Sequence, residues 1–327
     1  MSELHKFLFE GLPVRGMLVR LTDSWKEILE RRATEPFEAP VSHLLGEMAA
    51  AGVLLQSTIK FEGALIFQIF GDGPVKVAVV EVQQDLAFRT TAKVVGELPS
   101  TDSGRLPLDA MVNVSGNGRC ALTLDPQERG ESKRQPYQGV VSLSNEHGQP
   151  VAELSSVLEH YMRQSEQLET RLVLAANDDI AAGILIQRLP LEGEGNLEGK
   201  GMAADDADMR EAYNRIAHLA STLTREELLT LDADIILRRL FWEEDVLYFP
   251  AQTGQNGPRF ACTCSQERVA GMLRNLGREE VDSIVQEQGK IEVGCEFCGK
   301  HYLFDAVDSA ELFTDERDLA PGPTRLQ

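Results

Sequence analysis

Cysteine is scarce in this chain, basic residues are outnumbered, and no apolar run is long enough to cross a membrane. The richest apolar stretch, 44–55, is interrupted by Glu47 and falls well short of the ~20 residues a spanning helix needs. It reads as a buried helix. The first ten residues include Glu3 and Glu10 and lack the apolar core of a secretory signal, so a cytosolic protein with reduced thiols is expected. Lysine and arginine number 32 against 52 aspartates and glutamates, a net charge of −20. Such a field repels phosphate backbones, and neither a nucleic acid nor a membrane is expected as a partner. There is no H-E-x-x-H, no G-x-S-x-G and no partnered carboxylate constellation, so nothing argues for enzymatic turnover. Only five cysteines occur in 327 residues. In a reducing compartment they are poor material for a disulfide framework, and metal ligation or redox sensing is the better use of them.

Four of the five stand near the C-terminus as Cys262-Thr-Cys264 and Cys295-Glu-Phe-Cys298, a C-x-C pair and a C-x-x-C pair thirty residues apart. Each pair sets two sulfurs at ligand distance without a long loop to close. The helix-sized insert then folds back and brings the pairs together, as a tetrahedral Zn²⁺ site requires. One Zn²⁺ per chain, held by Cys262, Cys264, Cys295 and Cys298, is expected.

The rest of the chain, 43% hydrophobic and 26% charged, is ordinary globular material for two or three domains. Strand-like alternation at 5–9 and 16–21 precedes helices predicted over 25–32, capped by Asp23 or Ser24, and over 40–55. Strands follow at 64–70, 75–82, 86–95, 120–124 and 139–143, then a helix over 150–164 and strands at 171–176 and 183–189. Residues 1–190 therefore read as one α+β domain with a mixed sheet core. A Gly- and acid-rich stretch at 191–201 opens a linker that runs to about 250 and turns helical from about 205. Tyr213, Ile216, Ala217 and Ala220 share one face there, and helices this short need something to pack on. The last module, 257–313, has a helix capped by Ser265 and ended by Gly277, a second ended by Gly289, and a short strand at Ile291 and Val293. With so few apolar anchors it needs a staple. The polar tail, 314–327, is expected to be disordered.

A zinc ribbon that only holds its module together explains the spacing. Three features point further, to a switch. All four ligands are sulfur, and zinc has no redox chemistry, so any oxidation falls on sulfur. The metal keeps those sulfurs as thiolates, the form that peroxide attacks. Binding is worth on the order of 10–16 kcal/mol in small zinc modules, so its loss should unfold this one. His301 is a weaker ligand candidate because four cysteines already fill the shell. The C-x-x-C pair does not open a helix after a strand, as a thioredoxin-like site would. Cys120 starts an apolar strand and reads as an inert buried thiol. The run from Gly193 to Gly201 fails as a phosphate loop, and Asn113-Val-Ser115 is a glycosylation sequon by letter only. The alternative from another class is a zinc-ribbon regulator that binds nucleic acid or a protein partner. Its module should then be basic, yet residues 257–313 carry more Asp and Glu than Lys and Arg.

The sequence also resembles the heat shock protein 33 family of redox-regulated chaperones. The cysteine pattern is that family's signature, with Cys262-Thr-Cys-Ser265, the segment Glu279-Glu-Val-Asp-Ser-Ile284 and the run Cys298-Gly-Lys-His-Tyr-Leu-Phe304. Upstream, Val14-Arg-Gly16, Tyr137-Gln-Gly-Val-Val141, Ser165-Glu-Gln-Leu168, Glu226-Glu-Leu-Leu-Thr-Leu231 and Arg239-Leu-Phe-Trp-Glu-Glu-Asp-Val246 are similar as well. The resemblance implies an ATP-independent holdase, nearly inactive when reduced and zinc-bound. It implies that oxidation joins Cys262 to Cys264 and Cys295 to Cys298, releases zinc, unfolds the zinc module and the metastable linker, and exposes surface that holds unfolding client proteins. The active form is implied to be a homodimer.

Overall fold

The computed structural model describes residues 1–101, 104–126, 135–145, 147–190 and 202–313, without the side chains of 202–206. The stretch at 191–201 and the tail at 314–327, singled out above, lie outside the described residues. The chain divides into two compact units, Met1–Ala261 and Cys262–Gln327.

The first unit begins with β1 (Glu3–Phe9), β2 (Val14–Leu21), α1 (Asp23–Arg31) and α2 (Ala39–Thr58). The meander β3 (Gly63–Phe70), β4 (Val75–Val82) and β5 (Ala87–Val94) follows, then α3 (Leu108–Val112), β6 (Arg119–Pro126) and β7 (Tyr137–Ser142). Next come α4 (Leu154–Ser165), β8 (Thr170–Ala176), β9 (Ala181–Arg188), α5 (Met202–Ser221), α6 (Arg225–Thr230) and α7 (Ala233–Phe241). Three short strands close it: β10 (Val246–Tyr248), β11 (Gln252–Thr253) and β12 (Arg259–Phe260). One sheet runs β10-β1-β2-β9-β8, with β11 also on β1, and the other runs β12-β5-β4-β3-β6-β7. The fold is mixed α+β around sheets, as the sequence pattern predicts.

Helix α2 is apolar on every side, so it has no face to offer to water. It is buried along most of its length and packs on strands of both sheets. Leu45, Met48 and Leu54 meet Met17, Val19 and Leu21 of β2 and Leu65, Phe67 and Val80 of the other sheet in one core. Strand β2 is buried on both faces, since side chains alternate across it. Val14 and Leu18 point into a second core with Phe7, Ile184 and Ile186, and this core is closed by Tyr213, Ile216, Ala217, Ala220, Leu240 and Phe241 of α5 and α7. The apolar face predicted for residues 213–220 thus lies on the first sheet. Between β1 and β2, Phe7 sits opposite Gly16, where an added Cβ would run into the Phe7 ring.

Two predicted details are corrected. Helix α1 is not capped by the side chain of Asp23 or Ser24. The hydroxyl of Ser2 accepts from the Thr22 and Ser24 main-chain N–H groups at 3.0 and 3.2 Å, and so reaches the helix start from another part of the chain. Helix α4 starts at Leu154 rather than near 150.

Candidate metal centre

The second unit holds α8 (Gln266–Leu276), α9 (Arg278–Gln288), the hairpin β13 (Ile291–Gly294) and β14 (His301–Phe304), and α10 (Ala306–Glu311). Cys262-Thr-Cys264 is an extended lead into α8, whose first turn is capped by Ser265 accepting from Arg268 N–H at 3.2 Å. The helix stops where Gly277 takes φ 99°, and α9 stops where Gly289 takes φ 77°. All of these termini fall where the residue types require them.

The other pair sits in the connection of the hairpin. Ile291 faces Phe304 and Gly294 faces His301 across β13 and β14. Between them Cys295 N–H donates to Lys300 C=O at 2.9 Å, and Gly299 N–H donates to Cys295 C=O at 2.8 Å. Gly299 adopts φ 68°, a conformation open to glycine at little cost, and it turns the chain immediately after Cys298. A hairpin tip, not the start of a helix, carries this C-x-x-C, which removes the thioredoxin-like reading.

The fold brings all four cysteine sulfurs within 4.8 Å of one another. Cys262 Sγ lies 3.7 Å from Cys295 Sγ, and Cys264 Sγ lies 3.4 Å from Cys298 Sγ. A tetrahedron with metal–sulfur bonds of about 2.3 Å has sulfur–sulfur edges of about 3.8 Å. The donor set and its spacing therefore fit a metal ion such as zinc, and the four cysteines could hold one. Both of these distances run from one pair to the other, so the two pairs share one cluster.

The sulfurs are not equivalent. Cys298 is 5% exposed, and burial pushes its thiol pKa up, against a main-chain hydrogen bond from Lys300. Burial also opposes ionisation of Cys264, but there a donated hydrogen bond from the Tyr302 phenol and contacts with the other three sulfurs outweigh it. Its pKa falls to about 7. The Tyr302 hydroxyl stands 3.1 Å from Cys264 Sγ. Its ring is buried in the small core of this unit, with Ala270, Leu273, Val281, Ile291 and Phe304. Sequence pattern did not single out Tyr302. Its signal was its alternation with Phe304 after the C-x-x-C pair, which marks both as inward residues of an unpredicted strand.

The other candidates fall away from the cluster. His301 pairs with Glu292, Nδ1 to Oε1 at 2.9 Å, and its side chain is largely exposed. Cys120 lies on β6 between Ile69 and Val141 of the neighbouring strands, fully buried in the first core, and burial pushes its thiol up to about 12. Its burial agrees with the sequence expectation of a buried thiol.

In the first unit one polar contact stands out where α6 meets α2. Arg225, the first residue of α6, donates to Glu47 of α2 at 2.6 Å and to the Leu174 carbonyl at 3.0 Å. Arg20 of β2 donates to the Leu231 carbonyl at the far end of the same helix. Among the described residues, no helix is long and apolar enough to cross a membrane.

The chain matches the family model described as Hsp33 protein over residues 2–305. It is 43% identical to the 33 kDa chaperonin of Chromobacterium violaceum over 312 residues, covering 95% of this chain and 94% of that one. It is likewise 43% identical to the 33 kDa chaperonin of Methylobacillus flagellatus over 316 residues, covering 96% and 95%. The crystal structure of the 33 kDa chaperonin, an Hsp33 homologue, from Thermotoga maritima superposes with a TM-score of 0.72 at 21% identity, over 95% of this chain and 98% of that one. That last likeness speaks for the fold.

Proposed function

Because the chain belongs to the Hsp33 family, we propose that it is a redox-gated, ATP-independent holdase chaperone whose trigger is the four-cysteine centre. The observation that carries this reading is the convergence of Cys262, Cys264, Cys295 and Cys298 within 4.8 Å in a unit with very little core of its own. These four residues would hold one Zn²⁺ in the reduced state. When bound, the metal keeps the sulfurs as thiolates and supplies most of the folding free energy of the unit.

Peroxide-class oxidants are the chemical input. A thiolate attacks one peroxide oxygen; an S–O bond forms, the O–O bond breaks, and hydroxide leaves. The neighbouring thiolate then attacks the sulfenic sulfur and expels a second hydroxide as the S–S bond forms. Two such events give the Cys262–Cys264 and Cys295–Cys298 disulfides and remove all four thiolate donors. A unit whose buried core is Ala270, Leu273, Val281, Ile291, Tyr302 and Phe304 then has too little apolar burial to stay folded.

The functional division of the chain is a core at 1–190, a metastable linker at 191–250 and a redox-switch unit at 257–313. Helices α5, α6 and α7 of the linker cover Phe7, Phe9, Val14, Leu18, Ile184 and Ile186 on the first sheet. Their release uncovers a continuous apolar face suited to unfolding client proteins. The net charge of −20 keeps a chain with such an exposed face soluble. Homodimers form in the active state, the reduced state belongs to the cytoplasm, and no substrate is turned over. Peroxide at mildly elevated temperature should release one zinc per chain and suppress aggregation of a heat-labile client. Zinc release without any suppression would remove the chaperone reading.

A further inference from the structure

Tyr302 reaches the sulfur cluster with a single atom. Its ring lies in the small core, 5% exposed, on the hairpin strand that follows Cys298, while its hydroxyl comes 3.1 Å from Cys264 Sγ. A phenol so placed has the O–H as its donor and a sulfur as its acceptor. We infer that Tyr302 is a positioning residue of the switch: its hydroxyl holds Cys264 Sγ in the ligand cluster and draws electron density from that sulfur, so that the Cys262–Cys264 pair resists oxidation.

A thiolate that accepts a hydrogen bond gives up part of its lone-pair density and becomes a weaker nucleophile. Groups that hydrogen-bond to ligating atoms orient the ligands and tune the centre in the same way. Tyr302 is well anchored for that task. It faces Val293 across the hairpin, and Lys300 lies over its ring at 4.9 Å from the centroid. Ring position and hydroxyl position are therefore set by packing, and the hydroxyl alone distinguishes tyrosine from phenylalanine here. In the oxidation itself the Cys264 thiolate attacks peroxide, sulfur loses two electrons to the cleaved O–O bond, and hydroxide leaves. The Tyr302 proton is shared with the sulfur before this step and need not be transferred in it. Loss of the hydroxyl should speed that attack about two- to tenfold, the worth of one hydrogen bond.

The inference rests on the metal-centre reading, and the full-length chain loaded with Co²⁺ tests both separately. Tetrahedral cobalt bands in the wild-type chain establish the site. In Tyr302→Phe, which keeps the ring in its core, the thiolate-to-cobalt charge-transfer band should move to lower energy. Fluorotyrosine placed at 302, with a more acidic hydroxyl, should move it to higher energy. Mass spectrometry of the zinc-loaded chains should show the Cys262–Cys264 disulfide forming about two- to tenfold faster in Tyr302→Phe than in wild type. An unmoved band, or an unchanged or slower rate in a variant that still binds one metal per chain, overturns the inference and leaves the metal centre standing. A wild-type chain without tetrahedral bands overturns both.

Discussion

Arg225 of α6 and Glu47 of α2 form an ion pair with Nη1 2.6 Å from Oε1, and their side chains are 30% and 10% exposed. It pins α6 to the central helix, with Arg105 and Glu153 close enough to act on the same carboxylate. Arg225→Ala would leave a buried carboxylate without the cation that hydrogen-bonds to it. Breaking a fully buried pair costs about 3–5 kcal/mol, and partial exposure of Arg225 places this case toward or below the low end. Hydrogen exchange should show α6 opening more readily, while Arg225→Leu with Glu47→Leu should restore much of the loss. Unchanged exchange in Arg225→Ala would mean that the pair contributes nothing to holding α6.

Burial raises the pKa of Glu47 above its ordinary value of 4.5, against the opposing pull of Arg225. The sign follows from linkage. The folded chain then binds this proton more tightly than the unfolded chain does, so the contribution to stability is complete below 4.5 and is lost as pH rises through the raised folded value. Glu47→Gln should remove that component. The difference in unfolding free energy between the two chains, followed from pH 4 upward, should move in favour of Glu47→Gln; a flat difference would contradict the direction of the shift.

Phe241 of α7 lies edge-on to Phe9 at 5.1 Å between centroids and also meets Phe7 at 5.8 Å. It is 2% exposed, so Phe241→Ala should cost about 3–5 kcal/mol of local packing. Under the proposed function the reduced variant should already suppress client aggregation in part, with zinc still bound. If the reduced variant is as inactive as wild type although α7 exchanges faster, the face beneath α7 is not the holding surface.

Removal of the metal by a chelator from the reduced chain should unfold the second unit and leave the sheet core of the first intact. Apolar burial there is limited to a handful of residues around Leu273, Val281 and Phe304, far less than in the first unit. Side-chain signals of Tyr302 and Phe304 should lose dispersion while those of Trp25 and Phe67 keep it. A second unit that stays ordered without metal would reduce the centre to a passive attachment.

What was legible in the chain depended on how local its cause is. The four cysteines declared themselves by spacing, and α2 by an apolar run with Glu47 inside it. The helix stops at Gly277 and Gly289 are single-residue effects. Strands β10, β11 and β12 were not legible, because two or three residues show no period; Tyr248 is a strand residue only because Phe7 lies opposite, and Phe260 only because Phe88 does. The partner of Glu47 is 178 residues away, and Tyr302 is 38 residues from Cys264. Ser2 caps α1 from across a strand pair, which no reading of 22–25 alone could reveal.

The account turns on coupling between the four sulfurs and client holding, so zinc content, free thiols and aggregation suppression should be followed in one sample through a peroxide time course. The prediction is that one zinc and four thiols are lost per chain as suppression appears, and that reduction with zinc present reverses all three. Full suppression by the reduced, zinc-bound chain, or none after zinc and thiols are gone, would contradict it.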